Sequence, residues 1–301
     1  MNTFQCKQIK RNIKQFNGLS FKKKCILEID ELTIQEGSIL GVLGENGSGK
    51  STLLKILAGL SDFEGSLEYN GQLIKAFDSN LHKNQASILD INSLPKSLKI
   101  KQLCELYNNI YIDFDIELTK KELSVQNISL NEYVSSLSKG NQAKVYLILT
   151  IQSNQPLIIL DEPTLGLDLN SRKYMYQQIL DLSLENNNTI IIASHEIDEI
   201  EFLLTDVVLL QNGRIQLKDS MDNLLENYIE VNIAITDLDR YQNCHRLNER
   251  TSLKGMSFML HKDEYNCVNQ HTTDELHNDK NNRKAKLSDI YIAHTTIKEA
   301  V

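Results

Sequence analysis

Short apolar runs recur along the first 210 residues, and glycine, proline or polar residues bound each run. Continuous runs of this length predict strands that are buried on both faces. The runs lie at residues 37–43, 157–160, 189–193 and 207–210. Looser alternation predicts three more strands, at residues 26–34, 66–69 and 72–74, of which the last two are joined by an Asn-Gly turn.

Helical periodicity separates these runs. Apolar residues spaced by four, at Ala143, Leu147 and Ile151, predict a helix that begins after Ser138. Residues 53–58 and 179–184 predict parts of two further helices, and the polar stretch at about 95–136 predicts a separate helical lobe. Strands that alternate with helices in this way predict an α/β fold with a parallel sheet.

The character of the chain changes after about residue 228. Residues 229–235 and 256–260 predict two strands, the polar stretch 268–286 predicts a loop or disordered segment, and an amphipathic stretch follows at 287–297. We therefore expect a main domain at residues 1–228, with a helical subdomain at about 92–150. A small accessory region at 229–301, partly flexible, completes the expected organisation.

Charge and cysteine content narrow the class of protein. The net charge of −8 does not indicate a nucleic-acid partner. The first 24 residues hold seven Lys or Arg and no acid, which favours the solvated edge of a small sheet over membrane attraction, because no amphipathic moment accompanies the charge. Five scattered cysteines indicate reduced thiols. With no signal peptide and no long apolar run, we expect a soluble chain.

A glycine-rich loop between a buried strand and a helix carries the strongest chemical signal. The loop has the sequence GENGSGKST, and its residues predict a nucleotide site: Gly44, Glu45, Asn46, Gly47, Ser48, Gly49, Lys50, Ser51 and Thr52. Backbone N–H groups and the helix N-terminus attract phosphate in this context, and Lys50 reaches the β- and γ-phosphates while the Ser51 hydroxyl binds Mg²⁺. A plain surface loop would need neither the strand nor the apolar helix.

Two acids follow the buried strand at 157–160. A carboxylate at the tip of a strand beside a phosphate loop suits Mg²⁺, which is the role predicted for Asp161. Glu162 can orient or deprotonate an attacking water. The alternative is a strand that ends in a solvated turn, since acids are common at such turns. His195, two residues after the next buried strand, can donate to the γ-phosphate or can be merely structural.

A second anion site is predicted at the start of a helix. Ser138 is a natural N-cap residue, and Gly140 permits close approach to the helix N-terminus. A simple cap is the alternative. A symmetric dimer explains two phosphate-type sites in one chain if the second site of each subunit faces the ATP that the other subunit holds.

The order of these motifs resembles an ABC-type ATPase, the nucleotide-binding subunit of an ATP-binding-cassette transporter, from about Lys14 to Ser220. The phosphate loop resembles Walker A, LSKGN the signature sequence, LIILDEP Walker B with its catalytic glutamate, and Gly166-Leu167-Asp168 the D-loop at the dimer seam. His195 falls at the place of the switch histidine. Phe21 precedes the loop where the family places an aromatic ring against adenine, although it could equally be a core residue.

The resemblance implies a P-loop NTPase fold of ABC type, with a RecA-like core, a β-subdomain, an inserted α-helical subdomain and here a small C-terminal appendage. It implies ATP and Mg²⁺ as ligands, with Glu162 and His195 catalytic. The chain departs from the family at Lys139 and Asn141, and Asp90 stands where the Q-loop glutamine is expected. The expected metal-site residues are therefore Ser51, Asp161 and Asp90.

The helical lobe narrows the subfamily. The combination of Phe114-Asp115 ahead of a helix, then LSKGN, then Leu165–Arg172 is similar to ATPase subunits of ABC-2-type exporters, which serve drug, peptide or bacteriocin export and immunity. The resemblance implies a separate transmembrane permease, a homodimer or heterodimer of ATPases, no nucleic acid, and a cytoplasmic location at the inner face of the membrane. The alternatives are a soluble ABC ATPase acting on ribosomes or DNA and a non-hydrolysing nucleotide-binding regulator. A metal site among Cys244, His245, His261, Cys267 and His271 matches no familiar zinc spacing.

Overall fold

The computed structural model describes residues 2–16, 21–90, 93–252, 255–269 and 282–295 of the chain. The chain forms two compact units. The first contains Met1–His195 and Leu210–Ile215, and the second contains Glu196–Leu209 and Gln216–Val301. The predicted domain boundary at residue 228 stays a prediction.

The first unit alternates strands and helices, as the apolar pattern predicts. Its strands are β1 (Asn2–Phe16), β2 (Phe21–Gln35), β3 (Ile39–Leu43), β4 (Glu64–Tyr69), β5 (Gln72–Leu73), β6 (Gln85–Ile88), β7 (Leu157–Asp161) and β8 (Thr189–Ser194). Its helices are α1 (Lys50–Leu57), α2 (Ser79–His82), α3 (Ile100–Ile110), α4 (Ile116–Val125), α5 (Lys139–Gln152) and α6 (Leu169–Asn186).

An antiparallel sheet in the order β2-β1-β4-β5 opens the first unit. The small sheet predicted from the basic N-terminus is confirmed, but its placement at the edge is wrong for β1. This strand pairs with β2 on one side and β4 on the other. The physical reason is that β1 also carries apolar residues, Phe4, Cys6 and Ile9, whose side chains are fully buried. Lys7, which follows the buried Cys6, is exposed because side chains alternate along a strand.

A six-stranded sheet, of which four strands are parallel, forms the centre of the first unit. Its order is β10-β9-β3-β8-β7-β6, where β9 (Asp206–Gln211) and β10 (Arg214–Ser220) are joined by a tight turn, and Leu210–Ile215 belongs to the first unit. β3, β8, β7 and β6 pair in parallel. Helices cover both faces of such sheets, so their strands read as unbroken apolar runs. The carboxyl ends of β3, β7 and β8 therefore meet at one edge.

The predicted helical lobe is confirmed by α3, α4 and α5. Side chains accept from backbone N–H groups at all three helix starts. Gln102 Oε1 accepts from Lys99 at 2.9 Å, Asp115 Oδ1 from Leu118 at 2.8 Å and Ser138 Oγ from Asn141 at 3.2 Å. Each cap satisfies a donor that the helix leaves open. The lobe buries Leu103, Leu123 and their neighbours against its own helices, so it has an apolar core of its own.

The second unit is built around a four-stranded antiparallel sheet in the order β12-β13-β11-β14. Besides the larger parts of β9 and β10, its elements are α7 (Ile197–Ile200), α8 (Met221–Asn227), β11 (Tyr228–Ile233), β12 (Leu247–Ser252), β13 (Gly255–His261), α9 (Lys262–Asn269), β14 (Arg283–Lys284) and α10 (Leu287–Thr295). Val231, Tyr241, Phe258 and Leu260 form a buried cluster on this sheet.

The strands predicted at 229–235 and 256–260 are confirmed as β11 and β13, and the final amphipathic stretch is confirmed as α10. β12, α9 and β14 were not predicted. Of the predicted loop at 268–286, residues 268–269 instead end α9 and residues 283–284 form β14, while residues 270–281 lie outside the described residues. In the part of the chain that is described, no helix combines the length and the apolar character needed to cross a bilayer.

Candidate active site

The glycine-rich loop lies between β3 and α1 and leaves the helix N-terminus open. Gly49 is the N-cap residue, with φ of +110°, and no side chain caps the helix. A Cβ on Gly44 would lie 2.4 Å from the carbonyl oxygen of Leu210, so only glycine fits there. The first-turn N–H groups of α1 have no intrahelical acceptor, and they are free to hold an anion in the loop.

Lys50 is held inside this loop. Its side chain is 6% exposed, and its Nζ donates to the carbonyl oxygens of Gly44 at 2.6 Å and Glu45 at 3.2 Å. Burial lowers the pKa of Lys50, and the nearby charges of Glu162 and Asp161 act in the opposite direction. The ammonium group is thus positioned beside the open helix N-terminus by backbone acceptors that a phosphate can replace.

Asp161 ends β7 and faces Ser51 at the start of α1. Burial raises the pKa of Asp161, and a hydrogen bond from the Ser51 hydroxyl lowers it. The Oδ1 atom of Asp161 is buried and has no hydrogen-bond partner among the residues that the structure describes. A buried carboxylate oxygen without a donor, next to a hydroxyl, has the hard oxygen ligands that suit Mg²⁺. The residues present therefore fit this metal.

Glu162 and His195 extend from adjacent strands and contact each other. His195 Nδ1 and Glu162 Oε1 lie 2.8 Å apart. The backbone of Glu162 is left-handed, with φ of +47°, and its N–H donates to the carbonyl oxygen of Ala193 at 3.0 Å. A non-glycine residue in this conformation costs free energy, and it is commonly retained where a side chain must be aimed. Here the turn directs the carboxylate toward the histidine.

A cavity of about 460 Å³ is lined by four of the predicted site residues. Ser51, Asp90, Asp161 and Glu162 all line it, so Asp90 lies on the same cavity as the other acids. Lys139, which is exposed, lines it as well, together with Leu89, Gln142, Leu165 and Gly166. Sequence reasoning missed Gln142 and Leu165. The available signal was position, because Gln142 is one helical turn after Ser138.

The predicted second anion site is a capped helix start beside the 163–168 loop. Ser138 is exposed, and a Cβ added to Gly140 would lie 3.1 Å from the carbonyl oxygen of Gly166. Asp168 at the end of this loop caps α6, where its Oδ1 accepts from the N–H of Ser171 at 3.0 Å. The hydrogen bonds from Ser171 lower the pKa of Asp168. The predicted signature and D-loop segments are thus neighbours within one chain.

Two predictions rest on residues that fall partly or wholly outside the description. The backbone of Phe21 begins β2, but its side chain lies outside the described residues, and so does His271. Among the described residues, no group of three or more His, Cys, Asp or Glu side chains could hold a metal ion together. All five cysteines are free thiols.

A phosphate loop, an acidic strand end and a carboxylate–histidine pair at one edge of a parallel sheet define a P-loop nucleotide hydrolase. The family model described as "ABC transporter" matches residues 27–165. The chain is 29% identical over 229 residues to the ABC transporter ATP-binding protein YtrB of Bacillus subtilis (strain 168), covering 74% of this chain and 78% of that protein.

A second relative, the aliphatic sulfonates import ATP-binding protein SsuB of the same organism, is 31% identical over 199 residues, covering 63% of this chain and 74% of that protein. The fold is also similar to a dimeric post-hydrolysis state of the ATP-binding cassette MJ0796 bound to ADP and Pi. That similarity has a TM-score of 0.64 at 22% identity, and it covers 72% of this chain and 98% of that one. The chain belongs to the ATP-binding proteins of ABC transporters, and it is an ATPase.

Proposed function

We propose that this ATPase powers export through a separate membrane permease, on whose inner face it sits, and that two ATPase subunits sandwich two ATP molecules. The observation that carries the proposal is the convergence of Lys50, the Ser51–Asp161 pair and the Glu162–His195 pair at one edge of the sheet. These groups can contact a phosphate, a metal ion and a water molecule, and nucleotide hydrolysis needs all three contacts.

Phosphate binding is the role of the glycine-rich loop and Lys50. The open N-terminus of α1 and the buried ammonium group attract the β- and γ-phosphates. Ser51 and Asp161 are the residues that would hold Mg²⁺, and Asp90 lines the same cavity. Bound there, Mg²⁺ would neutralise charge that develops on the phosphate oxygens.

Water activation is the role of Glu162. Its carboxylate accepts a proton from the attacking water, and the hydrogen bond to His195 holds its side chain in one orientation. His195 can then turn its other ring nitrogen toward the γ-phosphate. The left-handed backbone of Glu162 fixes the direction from which the carboxylate approaches.

Ser138 and Gly140 stabilise the closed dimer. In a two-fold arrangement, the hydroxyl and the N–H groups at the start of α5 in one subunit bind the γ-phosphate held by the other. These contacts exist only in the closed state, so ATP shifts the equilibrium toward closure. Hydrolysis removes the bridging phosphate and lets the subunits separate.

The role of Glu162 is tested by Glu162→Gln. The amide keeps the shape of the side chain but cannot take a proton, so kcat should fall by about 10²-fold or more while ATP affinity stays within about twofold. Phosphate release measures the first quantity and titration with a fluorescent ATP analogue the second. Glu185→Gln, an exposed carboxylate on α6, is the matched control and should leave both unchanged. Parental turnover in Glu162→Gln would exclude Glu162 as the base.

The direction of transport is tested in vesicles that contain the permease and present this subunit outward. The similarity of Leu165–Arg172 to ABC-2-type exporters favours export, whereas the sulfonate relative is named an import protein. Export predicts that cargo added on the side of the ATPase stimulates hydrolysis and accumulates in the lumen. Stimulation only by cargo trapped in the lumen would reverse the assignment.

A further inference from the structure

The loop of residues 163–168 starts directly after Glu162 and leads into α6. Two overlapping turns shape this loop. The carbonyl oxygen of Glu162 accepts from the N–H of Leu165 at 3.2 Å, and the carbonyl oxygen of Thr164 accepts from the N–H of Leu167 at 3.1 Å. Thr164 belongs to both turns, so a shift of Thr164 would move the backbone next to Glu162.

A buried pair of hydroxyl groups anchors Thr164 to α6. Thr164 Oγ1 and the hydroxyl oxygen of Tyr176 lie 2.7 Å apart, and the two residues are 7% and 3% exposed. A buried hydroxyl needs a hydrogen-bond partner, and such a bond is strong where water is excluded. A phenylalanine at position 176 would fill the same space with no polar atom to satisfy, so packing alone does not explain the hydroxyl.

The two ends of the loop lie beside groups that the active site uses. At one end, Glu162 has a left-handed backbone with φ of +47°, and its carboxylate contacts His195. At the other end, the carbonyl oxygen of Gly166 would lie 3.1 Å from a Cβ added to Gly140 at the start of α5. A left-handed non-glycine residue persists only where its surroundings hold it in place. Thr164 lies between these two ends, so its anchor restrains both.

We propose that Tyr176 is a positioning residue for ATP hydrolysis. Its hydroxyl holds Thr164, and Thr164 in turn keeps Glu162 in the left-handed conformation that directs its carboxylate. Among the described residues that line the cavity around Glu162, neither Thr164 nor Tyr176 occurs, so the pair acts through the backbone and not on the nucleotide. The inference rests on the proposed role of Glu162 as the base.

Tyr176→Phe removes the anchor and keeps the ring. A catalytic group that is displaced by a fraction of an ångström loses rate, so kcat should fall about tenfold while ATP affinity stays within about twofold. Phosphate release and titration with a fluorescent ATP analogue measure the two quantities. Tyr174→Phe is the matched control, because it makes the same change on α6 where the hydroxyl contacts Glu122, and it should keep the parental kcat. A parental kcat in Tyr176→Phe would overturn the inference.

Changes at Thr164 test the other half of the pair. Thr164→Ser keeps the hydroxyl and should keep kcat within about threefold of the parent, whereas Thr164→Val removes the hydroxyl and should match Tyr176→Phe. A kcat in Thr164→Val that equals the parental value would show that this hydroxyl does not position Glu162.

The double variant Thr164→Val/Tyr176→Phe separates positioning from stability. Each single variant leaves the remaining buried hydroxyl without this hydrogen bond and lowers the stability in denaturant. The double variant removes both hydroxyls, so it should regain most of that stability. Because the anchor is still missing, its kcat should stay about tenfold below the parental value. If kcat recovers together with stability, the pair is merely structural and the inference is wrong.

The combination Glu162→Gln/Tyr176→Phe shows whether Tyr176 acts through Glu162. In single-turnover hydrolysis of radiolabelled ATP, adding Tyr176→Phe to the slow Glu162→Gln chain should lower the rate by less than about twofold. A tenfold loss in both backgrounds would mean that Tyr176 acts independently of Glu162, which overturns the inference. Parental turnover in Glu162→Gln alone would instead overturn the base on which the inference rests, so the two failures are distinguishable.

Discussion

At the scale of single residues, the active site depends on groups held in positions that would be costly without a function. Lys50 is a buried cation satisfied only by backbone carbonyls, and Asp161 has a buried oxygen with no partner. Unpaired buried polar atoms cost free energy, so a native chain retains them where a ligand completes them. Glu162, in a left-handed turn, adds a third such position. The site is prepared for an anion and a metal together.

Asp161→Asn tests the metal half of this account. The amide removes the negative charge that holds Mg²⁺ but keeps the shape of the side chain, so the gain in ATP affinity on adding Mg²⁺ should fall about tenfold or more. ATP affinity in the presence of EDTA should change little. Glu45→Gln, in the exposed part of the glycine-rich loop, is the control and should keep the full Mg²⁺ effect. An unchanged Mg²⁺ effect in Asp161→Asn would remove Asp161 from the metal site.

Residue positions at strand ends could be predicted from sequence, and cavity lining could not. Asp161, Glu162 and His195 follow buried apolar strands, and parallel strands bring their carboxyl ends to one edge. That rule predicts the proximity of Glu162 and His195. Gln142 and Leu165 line the cavity, but no motif marks either residue, because their place depends on how the lobe and the 163–168 loop pack. Packing between distant segments leaves no local pattern.

At the scale of elements, the predicted elements are those with unbroken apolar runs. β3, β7 and β8 are buried along almost their whole length, so their sequences carry the signal alone. β12 has the polar sequence LNERTS and acquires its structure by pairing with β13. α9 is similarly polar. Pairing with distant strands determines the secondary structure of such segments, so their own sequences do not predict it.

Gly140→Ala tests the close contact between α5 and the 163–168 loop. The added Cβ would lie 3.1 Å from the carbonyl oxygen of Gly166, so the start of the helix must shift by a few tenths of an ångström. Alanine also raises helix propensity by about 0.5–1 kcal/mol, which offsets the strain. We expect near-parental stability in denaturant but at least about a tenfold loss of ATPase activity. Parental ATPase activity would show that this helix start does not meet the nucleotide.

Protonation of His294 makes the stability of the second unit depend on pH. It lies in α10, its Nε2 is 3.1 Å from the hydroxyl of Tyr228, and burial lowers its pKa from 6.5. The folded chain therefore holds the neutral ring, and its stabilising effect is complete above pH 6.5. As pH falls below that value, the unfolded chain binds the proton more readily and this stability is lost.

The matching variant is His294→Gln. It should cost about 1 kcal/mol at pH 7.5 through the lost contact with Tyr228, and the difference from the parent should shrink as pH falls below 6.5. Hydrogen exchange of α10 amides as a function of pH measures this difference. A gap between parent and variant that stays constant from pH 7.5 down to about pH 5 would contradict the role given to His294.

At the scale of the whole molecule, we propose that the chain holds complementary halves of two nucleotide sites. The glycine-rich loop and its acids form one half, and the start of α5 forms the other. One copy satisfies each half only in part, since both helix N-termini offer N–H groups without acceptors. Two copies related by a two-fold axis would complete both sites at once, which makes ATP itself the link between subunits.

The most direct measurement is the mass in solution of the Glu162→Gln chain, by light scattering, with and without Mg-ATP. The account predicts a 34.4 kDa monomer without nucleotide and a dimer with Mg-ATP. When Ser138→Arg is added to the same chain, it obstructs the start of α5, and the chain should stay a monomer with Mg-ATP. ATP binding is confirmed in the same sample. If the chain binds ATP but keeps the mass of a monomer at all protein concentrations up to about 100 μM, the claim that two subunits share the nucleotide is contradicted.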